Sequence, residues 1–550
     1  MGPPGRTVSF VSCCNVSMNK EHVIIKSIDM DFPLLIDRRT LEMSISPATN
    51  LPDVNLGDIQ GIVGIKHLVK YSYLIGVSSA TLIDRKRNIC KIDSVSTFPI
   101  QEYSSSQYDS ERDTLEWQWE KTYLQMISDL FKKCNFYYSN TYDLTNSLQR
   151  NYEIRDGSSS KQYSQHPDQR FQWNYNALEL FDAYHTEISR FRLPIIMGFV
   201  TKTSIDEGRK FEMLLISRRG IRRAGTRYNR RGVDDQGNVA NFVETEQILD
   251  APGGESSYVQ VRGSIPMFWG QTPTCRYKPA IEIYQGDHDN AMVKHYRDLK
   301  ASYGAVSVAC LIDQRGHEAQ LATEFNQRMS KIQALIDVRY HYFDFHKECG
   351  KMKWHRLNLL IQKLKPEIDS YGFFALPSSG VSNITKQIGV VRSNCIDSLD
   401  RTNVIQSMIS EYILDIQLRA LNNMSLSQFP AYIKEFKSAW ADNADALSTQ
   451  YAGTPALKTD FTRTGQRTYA GIFRDGFNSA TRYILNNYLD NYRQDSMDLL
   501  LGNFVGYPSP TYRPLDLASY SSTFPVAVVM FTLVALYVYF RYDSIRFLEN

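Results

Sequence analysis

The stretch 387–403 reads QIGVVRSNCIDSLDRTN and places Cys395 six residues before Arg401, in a C-x5-R pattern. The run from Ile388 to Val391 is rich in β-branched residues and predicts a buried strand that ends just before the cysteine. From Thr402 onward, apolar residues recur every three or four positions, which predicts a helix with one apolar face. These residues are Val404, Ile405, Met408, Ile409, Tyr412, Ile413 and Ile416. Cys395 is therefore expected on a loop that leads into a helix N-terminus.

This arrangement suits attack of a cysteine on a phosphate. Only the thiolate is nucleophilic, and a helix N-terminus with a nearby guanidinium stabilises that charged form. Loop N–H groups and the helix dipole can surround an oxyanion, while the planar fork of Arg401 can hold two of its oxygens. Thr402 is placed to donate a hydrogen bond to the sulfur. The pattern predicts a cysteine-dependent phosphatase with a phosphocysteine intermediate and no metal or other cofactor; the alternative is a small buried hydrophobic cysteine.

The residues around the loop resemble the signature of the Sac-domain phosphoinositide phosphatases, the suppressor-of-actin type. The string RSNCIDSLDRTN carries the resemblance, and other matching segments run in family order from about residue 60 to about residue 505. Ser393 and Ser398 stand where many relatives have Thr and Cys. The other segments are SRRGIRRAGTRYNRRGVDDQGNVANFVETEQI (217–248), SYVQVRGSIPMFWGQ (257–271), LIDQRGHEAQL (311–321) and YFDFHKECGKMKW (342–354).

The resemblance implies a phosphatase that removes a monoester phosphate from phosphatidylinositol phosphates, chiefly phosphatidylinositol 4-phosphate, with 3-phosphates as secondary substrates. The alternative is a catalytically weak, lipid-binding membrane scaffold. The expected partners are the phosphoinositide lipid and the membrane, without nucleic acid, and the sequence does not identify protein partners. The predicted catalytic residues are Cys395, Arg401, Asp400, Asp397 and Thr402, and the predicted substrate-binding residues are Asn394, Ile396, Ser398, Leu399, Arg222 and Arg227.

Two acids inside the loop, Asp397 and Asp400, are candidates for the general acid that protonates the leaving inositol oxygen. The thiolate and the bound phosphate are both negative, so the pKa of either carboxyl is expected to be raised. Asp400 is preferred, since related loops of the form C-x-D-x-x-D-R are thought to use an acid there. Asp397 could instead orient the ring or the loop, both acids could merely cap loop N–H groups, and Asp344 is a further candidate. The acids should also repel additional phosphates, which favours singly phosphorylated lipids.

The arrangement of apolar runs predicts an α/β fold. An α+β N-terminal domain (1–180) is expected to pack on an α/β catalytic domain of the Cys-phosphatase type (181–505), followed by a linker (506–522) and a transmembrane helix (523–540). Glycine-broken runs at 57–81 predict strands, the pattern at 111–133 predicts a helix, and the polar stretch 156–170 predicts a solvated loop. A second helix is expected at 171–181 and a strand at 193–200.

The C-terminal segment 517–540 has 24 residues without a charge. A helix of roughly 20 apolar residues crosses a bilayer core of about 30 Å. Tyr537, Tyr539 and Arg541 stand where interface anchors belong. The segment therefore predicts a membrane anchor, with a buried globular helix as the alternative. Family members commonly carry two such helices, and their location implies a catalytic domain that faces the cytosol at the endoplasmic reticulum or Golgi.

Composition excludes some classes of function. The chain has 550 residues, 43% hydrophobic, with a formal net charge of +3, so no global field marks it as a nucleic-acid binder. The cysteines form no C-x2-C pair, which argues against a zinc site. A metal site built from Asp344, His346, Glu348 and His355 is conceivable, because His346 and Glu348 are two apart and would lie on the same side of a strand, but packed core residues are the preferred interpretation.

Seven arginines lie between residues 218 and 231. One interpretation is a face that binds anionic lipid or phosphate. The other is a set of structural ion pairs with nearby acids, because the arginines cannot all be buried unpaired. The acids that the sequence offers for such pairs are Asp234, Asp235, Glu244 and Glu246.

Overall fold

The computed structural model describes residues 13–47, 54–101, 114–156, 167–184, 187–205, 211–273, 279–350, 353–378, 383–457, 459–464 and 468–504. These residues form two compact units. The first contains the described residues within 1–202, 216–221 and 495–514, and the second contains those within 203–215 and 222–494. The domain bounds given above describe family modules and remain predictions.

The first unit is built on antiparallel sheets. One sheet has the strand order β4-β3-β2-β1-β5, and β6 to β9 follow one another as neighbours in the next. Two further strands, β10 (Ile196–Ile205) and β11 (Phe211–Arg219), divide their residues between the units. The other strands are β1 (Cys14–Met18), β2 (His22–Ser27), β3 (Leu34–Asp37), β4 (Met43–Ile45), β5 (Val54–Ile59), β6 (Ile62–His67), β7 (Ser72–Asp84), β8 (Ile89–Pro99) and β9 (Phe136–Ser139).

The helices of the first unit are α1 (Leu115–Lys133), α2 (Leu148–Asp156) and α3 (Glu179–Asp182), with two 3₁₀ turns at Asn176–Leu178 and Glu187–Phe191. The last helix, α12 (Asp490–Leu501), lies mostly in this unit as well. The strands predicted at 57–81 and the helix predicted at 111–133 are confirmed in the described residues. The helix predicted at 171–181 is wrong in extent, because the buried amide of Asn174 donates to the carbonyls of Val63 and Leu193, at 2.7 and 2.8 Å, and fixes an irregular backbone. The strand predicted at 193–200 is present as β10 from Ile196.

The second unit has a mixed sheet whose centre is parallel. Its strands run in the order β12-β13-β19-β16-β17, in which β13, β19, β16 and β17 are parallel neighbours, and β18 pairs antiparallel with β13. A separate two-stranded sheet contains β14 and β15. The strands are β12 (Val243–Ala251), β13 (Gly254–Arg262), β14 (Trp269–Gly270), β15 (Glu282–Ile283), β16 (Ala305–Cys310), β17 (Arg339–Tyr342), β18 (Phe374–Pro377) and β19 (Gly389–Asn394).

Helices cover both faces of this sheet. They are α4 (His288–Tyr303), α5 (Ala319–Leu335), α6 (Phe345–Cys349), α7 (Leu357–Tyr371), α8 (Asp400–Asn422), α9 (Pro430–Ala452), α10 (Thr459–Thr464) and α11 (Tyr469–Ile484), with 3₁₀ turns at Gly316–Glu318, Trp354–Arg356 and Leu426–Gln428 and a π turn at Leu485–Leu489. Val390 of β19 packs in the cluster with α4 and α5, whereas Val391 packs in the cluster with α7 and α8. Successive side chains of a strand point to opposite faces, so β19 is buried on both sides. This explains why Val390 and Val391 are both apolar.

The predicted fold class needs one correction. The mixed α/β architecture is present, but none of the helices within the described ranges is both long and apolar enough to cross a bilayer. The transmembrane helix included in that prediction is therefore not supported. The segments on which it rested, 506–522 and 523–540, lie outside the described residues.

Candidate active site

The C-x5-R loop begins where the central parallel strands end. Strand β19 lies between β13 and β16, and Ser393 is opposite both Arg262 and Ala309. Cys395 follows the last residue of β19 directly, and α8 begins five residues later at Asp400. The order strand, loop and helix is thus confirmed. Ile388 lies outside the strand and is exposed, because β19 starts only at Gly389.

The N-terminus of α8 is open toward the loop. No side chain among the described residues caps its first turn, and the first N–H groups of a helix have no partner within the helix. Ser398 has a positive φ of 51°, a left-handed conformation that turns the chain tightly before the helix. Its hydroxyl donates to the carbonyl of Gly263 at 2.6 Å, which fixes this turn. The N-terminus of α8 can therefore receive an anion.

Cys395 lies against this helix end. Its side chain is buried, and the hydroxyl of Thr402 donates to its sulfur over 3.5 Å. The sulfur is therefore the acceptor of a hydrogen bond whose donor is fixed in the first turn of α8. The structure therefore brings Cys395 and Thr402 together as the spacing predicts.

Arg262, at the end of β13, is a residue that the sequence reasoning missed. Its guanidinium is fully buried, donates to the side-chain oxygen of Asn403 at 3.1 Å, and has no partner among the described residues for its Nε and Nη1 groups. Burial lowers the pKa of Arg262 to about 9, and attraction to Cys395 opposes this shift. The arginine lies in the quoted segment SYVQVRGSIPMFWGQ, but only the parallel pairing of β13 with β19 places it beside the nucleophile.

Arg401 points toward acids on the neighbouring strand end. Its Nη1 donates to Asp313 at 3.1 Å, to Glu318 at 3.0 Å and to the carbonyl of Leu311 at 2.9 Å, and its Nη2 donates to Glu318. Burial works against the charged form, but Cys395 and the two acids outweigh it and raise the pKa of Arg401. The fork that was expected to hold phosphate oxygens therefore holds carboxylates in this structure. Asp313 and Glu318 were not identified from the sequence, although both lie in the quoted segment 311–321.

Asp397 is held by two arginines. Arg227 makes a bidentate pair with its carboxylate, at 3.0 and 2.8 Å, and Nη1 of Arg231 lies 2.6 Å from it. Burial alone would raise the pKa of Asp397, but the two guanidinium groups outweigh it and hold the pKa well below its usual range. This result is opposite to the shift expected from the sequence. The ionised form of Asp397 is therefore favoured, and Asn241 also donates to its backbone carbonyl at 3.1 Å.

Asp400 has a different environment. Its carboxylate accepts a weak hydrogen bond of 3.3 Å from the N–H of Leu457. Burial raises the pKa of Asp400, while Arg482 and Leu457 oppose the shift and Asp397 adds to it. The direction is the one expected for a group that must carry a proton. The structure thus gives opposite pKa shifts to two acids for which the sequence predicts the same shift.

The other predicted substrate-binding residues mainly support the loop. The amide of Asn394 contacts Arg392 and Cys310, and the carbonyl of Ile396 accepts from Arg231 at 3.1 Å. Leu399 packs with Tyr451 and Ala452. These contacts, with the hydrogen bond of Ser398 to Gly263, hold the loop in place, and the substrate-binding role of these residues stays a prediction.

The arginine cluster is divided among several roles. Arg218 is buried and donates to the carbonyls of Leu144 and Asn146 in the first unit. Arg227 and Arg231 in the second unit contact Asp397, which was not among the acids proposed as their partners. The remaining arginines of the cluster are Arg219, Arg222, Arg223 and Arg230.

Among these remaining arginines, Arg222 is exposed, and no contact to another described residue is recorded for it. The structure therefore brings Arg227, but not Arg222, to the loop.

The segment considered for a metal forms helix α6, not a strand. Asp344 caps this helix by accepting from the N–H of Lys347, His346 contacts Asp313 at 2.5 Å, and Glu348 pairs with Arg356 at 2.6 Å. Across the part of the chain that the structure describes, no group of three or more His, Cys, Asp or Glu is arranged to hold a metal ion.

Comparison with known proteins agrees with this site. The family model for the SacI homology domain matches residues 60–350. Phosphatidylinositol-3-phosphatase SAC1-A of Danio rerio is 38% identical over 513 residues, which cover 91% of this chain and 86% of the relative. Phosphatidylinositol-3-phosphatase SAC1 of Saccharomyces cerevisiae is 39% identical over 459 residues, covering 78% and 72%. Phosphoinositide phosphatase SAC7 of Arabidopsis thaliana is 35% identical over 509 residues, covering 90% and 84%.

These matches cover most of the chain, including the loop with Cys395, and the relatives are themselves covered over more than two thirds of their length. The strand, loop and open helix end found here fit the same assignment. The chain belongs to the family of Sac-domain phosphoinositide phosphatases.

Proposed function

We propose that this protein hydrolyses singly phosphorylated phosphatidylinositols through a phosphocysteine intermediate. The observation that carries the proposal is the position of Cys395, which lies at the open N-terminus of α8 beside the hydroxyl of Thr402 and the buried guanidinium of Arg262. Each of these groups can donate a hydrogen bond to a phosphate bound beside the cysteine, and the helix end and the guanidinium also attract its negative charge. The alternative of a purely structural cysteine leaves the unpaired donors of Arg262 without a purpose.

In the first step, the thiolate of Cys395 attacks phosphorus and the bond from phosphorus to the inositol oxygen breaks. Asp400 gives its proton to that oxygen, and its raised pKa supports this role. In the second step, water attacks the phosphocysteine, Asp400 takes back a proton, and inorganic phosphate leaves with the thiolate restored. Asp397 takes no proton in this scheme, because Arg227 and Arg231 keep it ionised.

Arg401 is proposed to exchange partners when substrate binds. A phosphoryl group beside Cys395 offers the guanidinium the same bidentate geometry as Glu318 does, with more negative charge. Asp313 and Glu318 then act as positioning residues that hold Arg401 near the loop. Because they also compete with phosphate, they set how tightly the anion binds.

The charge balance near the loop supports a singly phosphorylated substrate. Arg227, Arg231 and Arg401 are each matched by acids, and Arg262 faces the nucleophile itself. Little cationic surplus is left for a second phosphate. We propose phosphatidylinositol 4-phosphate as the chief substrate and the 3-phosphate as the second, on a membrane of the endoplasmic reticulum or Golgi that the catalytic domain meets from the cytosolic side. The names of the Danio rerio and Saccharomyces cerevisiae relatives specify the 3-phosphate.

The experiment is a panel of phosphoinositides offered to the full chain, with released phosphate as the readout and Cys395→Ser as the inactive control. We expect release from the monophosphorylated lipids, none from the control, and a phosphate-labelled peptide containing Cys395 after rapid acid quench. Equal turnover of phosphotyrosine peptides would contradict the substrate class. A wild-type protein that binds vesicles but releases nothing would instead support the scaffold alternative.

A further inference from the structure

Helix α11 exposes its apolar side chains and buries polar ones. Over its first nine residues, Tyr469, Ile472, Phe473 and Phe477 are 94%, 37%, 56% and 41% exposed. The buried side chains of the same helix are Asn478, Ala480 and Arg482. A contiguous exposed apolar patch rimmed by polar residues marks an interaction site more often than ordinary surface. We name Tyr469, Ile472, Phe473 and Phe477 the α11 stripe.

The members of the α11 stripe share one side of the helix. They are spaced by three, one and four residues, so at 3.6 residues per turn they fall within less than half of the helix circumference. The start of the helix is fixed, because the hydroxyl of Thr468 accepts from the N–H of Gly471 at 2.9 Å. The stripe is therefore held by a defined helix and is not a frayed end.

The inner side of α11 is fastened close to the catalytic loop. Arg482 donates to the hydroxyls of Thr454 and Ser448, at 2.9 and 3.0 Å, and to the carbonyl of Pro455 at 2.9 Å. Two residues after Pro455, the N–H of Leu457 contacts the carboxylate of Asp400. A surface that binds the outer side of α11 therefore contacts a helix that is connected to Asp400, the proposed general acid, through one short segment.

We propose that the α11 stripe inserts into the interfacial layer of the lipid bilayer that carries the substrate. The inference rests on the proposed function, because a phosphoinositide phosphate lies at the bilayer surface and the loop must be held there. An interfacial helix presents Phe and Tyr on one side with basic residues beside them. Arg474 follows Phe473 directly, and its side chain is 57% exposed and lies 3.6 Å from Asp445, so a basic group that suits an anionic leaflet lies at the edge of the stripe.

A kinetic experiment tests the consequence for turnover. The double variant Phe473→Asp/Phe477→Asp is compared with Leu335→Asp, an exposed apolar residue of the same unit at 65% exposure, and with the single variant Tyr469→Asp as a milder change. We expect turnover of lipid in anionic vesicles to fall at least about tenfold in the double variant, since two apolar side chains leave the bilayer. Turnover of a soluble short-chain lipid should stay within about twofold in all variants, because substitutions of exposed residues usually change stability little.

A crosslinking experiment identifies what covers the stripe. The full chain carries benzoylphenylalanine in place of Phe473, or of Leu335 as the control, and is irradiated with anionic vesicles before mass spectrometry. A lipid adduct at position 473 and none at 335 is the expected result. An adduct to residues 505–550 of the same chain, an adduct to a second copy, or no adduct at 473 would each overturn the proposal.

The outcomes also separate this inference from the proposed function. If the wild type turns over neither the soluble lipid nor the vesicle lipid, the proposed function is rejected. Normal wild-type turnover with equal vesicle rates in the wild type and the double variant would reject only membrane insertion of the α11 stripe. A double variant that loses soluble turnover and melts at a lower temperature would show that the stripe packs within the protein, which also rejects insertion.

Discussion

The two acids of the catalytic loop lie three residues apart and differ in almost every physical respect. Asp397 faces two arginines at 2.6 to 3.0 Å and has a depressed pKa. Among the described residues, Asp400 has one hydrogen-bond partner, a backbone N–H at 3.3 Å, and its pKa is raised. Both are partly withdrawn from solvent, so burial by itself pushes both pKa values upward. The presence or absence of a paired guanidinium decides the sign of the shift, and with it which acid can carry a proton.

The largest effect that this comparison predicts is on catalysis. Asp400→Asn should lower turnover of a natural lipid by about a hundredfold to ten-thousandfold, which is the usual contribution of a general acid. An aryl phosphate has a leaving group that needs no proton, so the variant should recover on it. Initial rates on the two substrates measure the difference.

Asp397→Asn is the matched control, because it makes the same chemical change three residues away. It should impair both substrates to the same extent, since Asp397 shapes the loop and donates no proton. If Asp400→Asn is equally impaired on both substrates and Asp397→Asn recovers on the aryl phosphate, the assignment of the two acids is reversed.

The next effect concerns stability. Asp397→Ala should lower the free energy of unfolding by about 3 kcal/mol, because it leaves Arg231, which is only 1% exposed, without its carboxylate. Adding Arg231→Met should recover part of this loss, since Arg231 then no longer buries an unpaired charge and only Arg227, which is 22% exposed, still lacks its carboxylate. Chemical denaturation of the two variants and the wild type gives the values. A double variant less stable than the single one would show that Arg231 is held mainly by its contacts with Gln271 and Ile396.

A smaller effect is the pH dependence of stability, which should have opposite signs for the two acids. The folded pKa of Asp397 is lowered, so the stability that it contributes is present above its unfolded pKa of about 3.9 and is lost as the pH falls through the folded value. The folded pKa of Asp400 is raised, so its contribution is favourable below about 3.9 and is lost as the pH rises through the folded value.

Melting temperatures of the wild type and the two Asn variants between pH 3 and 7 measure these slopes. The advantage of the wild type over Asp397→Asn should shrink below about pH 4, while its advantage over Asp400→Asn should shrink above about pH 4. Parallel curves for both variants would contradict the difference in environment.

The smallest effect is expected within the arginine cluster. Arg222 is exposed, so Arg222→Ala should change the free energy of unfolding by no more than about 0.5 kcal/mol. Arg227→Ala removes the bidentate partner of Asp397 and should cost more, as well as lowering turnover on a soluble lipid. Equal effects of the two substitutions would argue that the pair with Asp397 contributes little.

Much of the local structure follows from the sequence. The run before Cys395 specifies a strand because its β-branched residues suit a site buried on both faces, and the periodic residues after Thr402 specify a helix because one face must be covered. The contact from Thr402 to Cys395 then follows from spacing alone, since both ends of the loop are fixed by these two elements. The same reasoning found the strands at 57–81 but overestimated the helix at 171–181, where the side chain of Asn174 contacts residues far along the chain.

The sequence by itself determined the family, the α/β class and the strand–loop–helix unit that carries Cys395, because these depend on residues close together in the chain. Only the tertiary structure decided which charges meet. Arg227 and Arg231 reach Asp397 from about 170 residues away, Arg262 reaches Cys395 through the parallel pairing of β13 with β19, and Glu318 reaches Arg401 from the 3₁₀ turn that follows β16. Electrostatic shifts depend on distances of a few ångströms in three dimensions, so two acids three residues apart in the chain acquire pKa shifts of opposite sign.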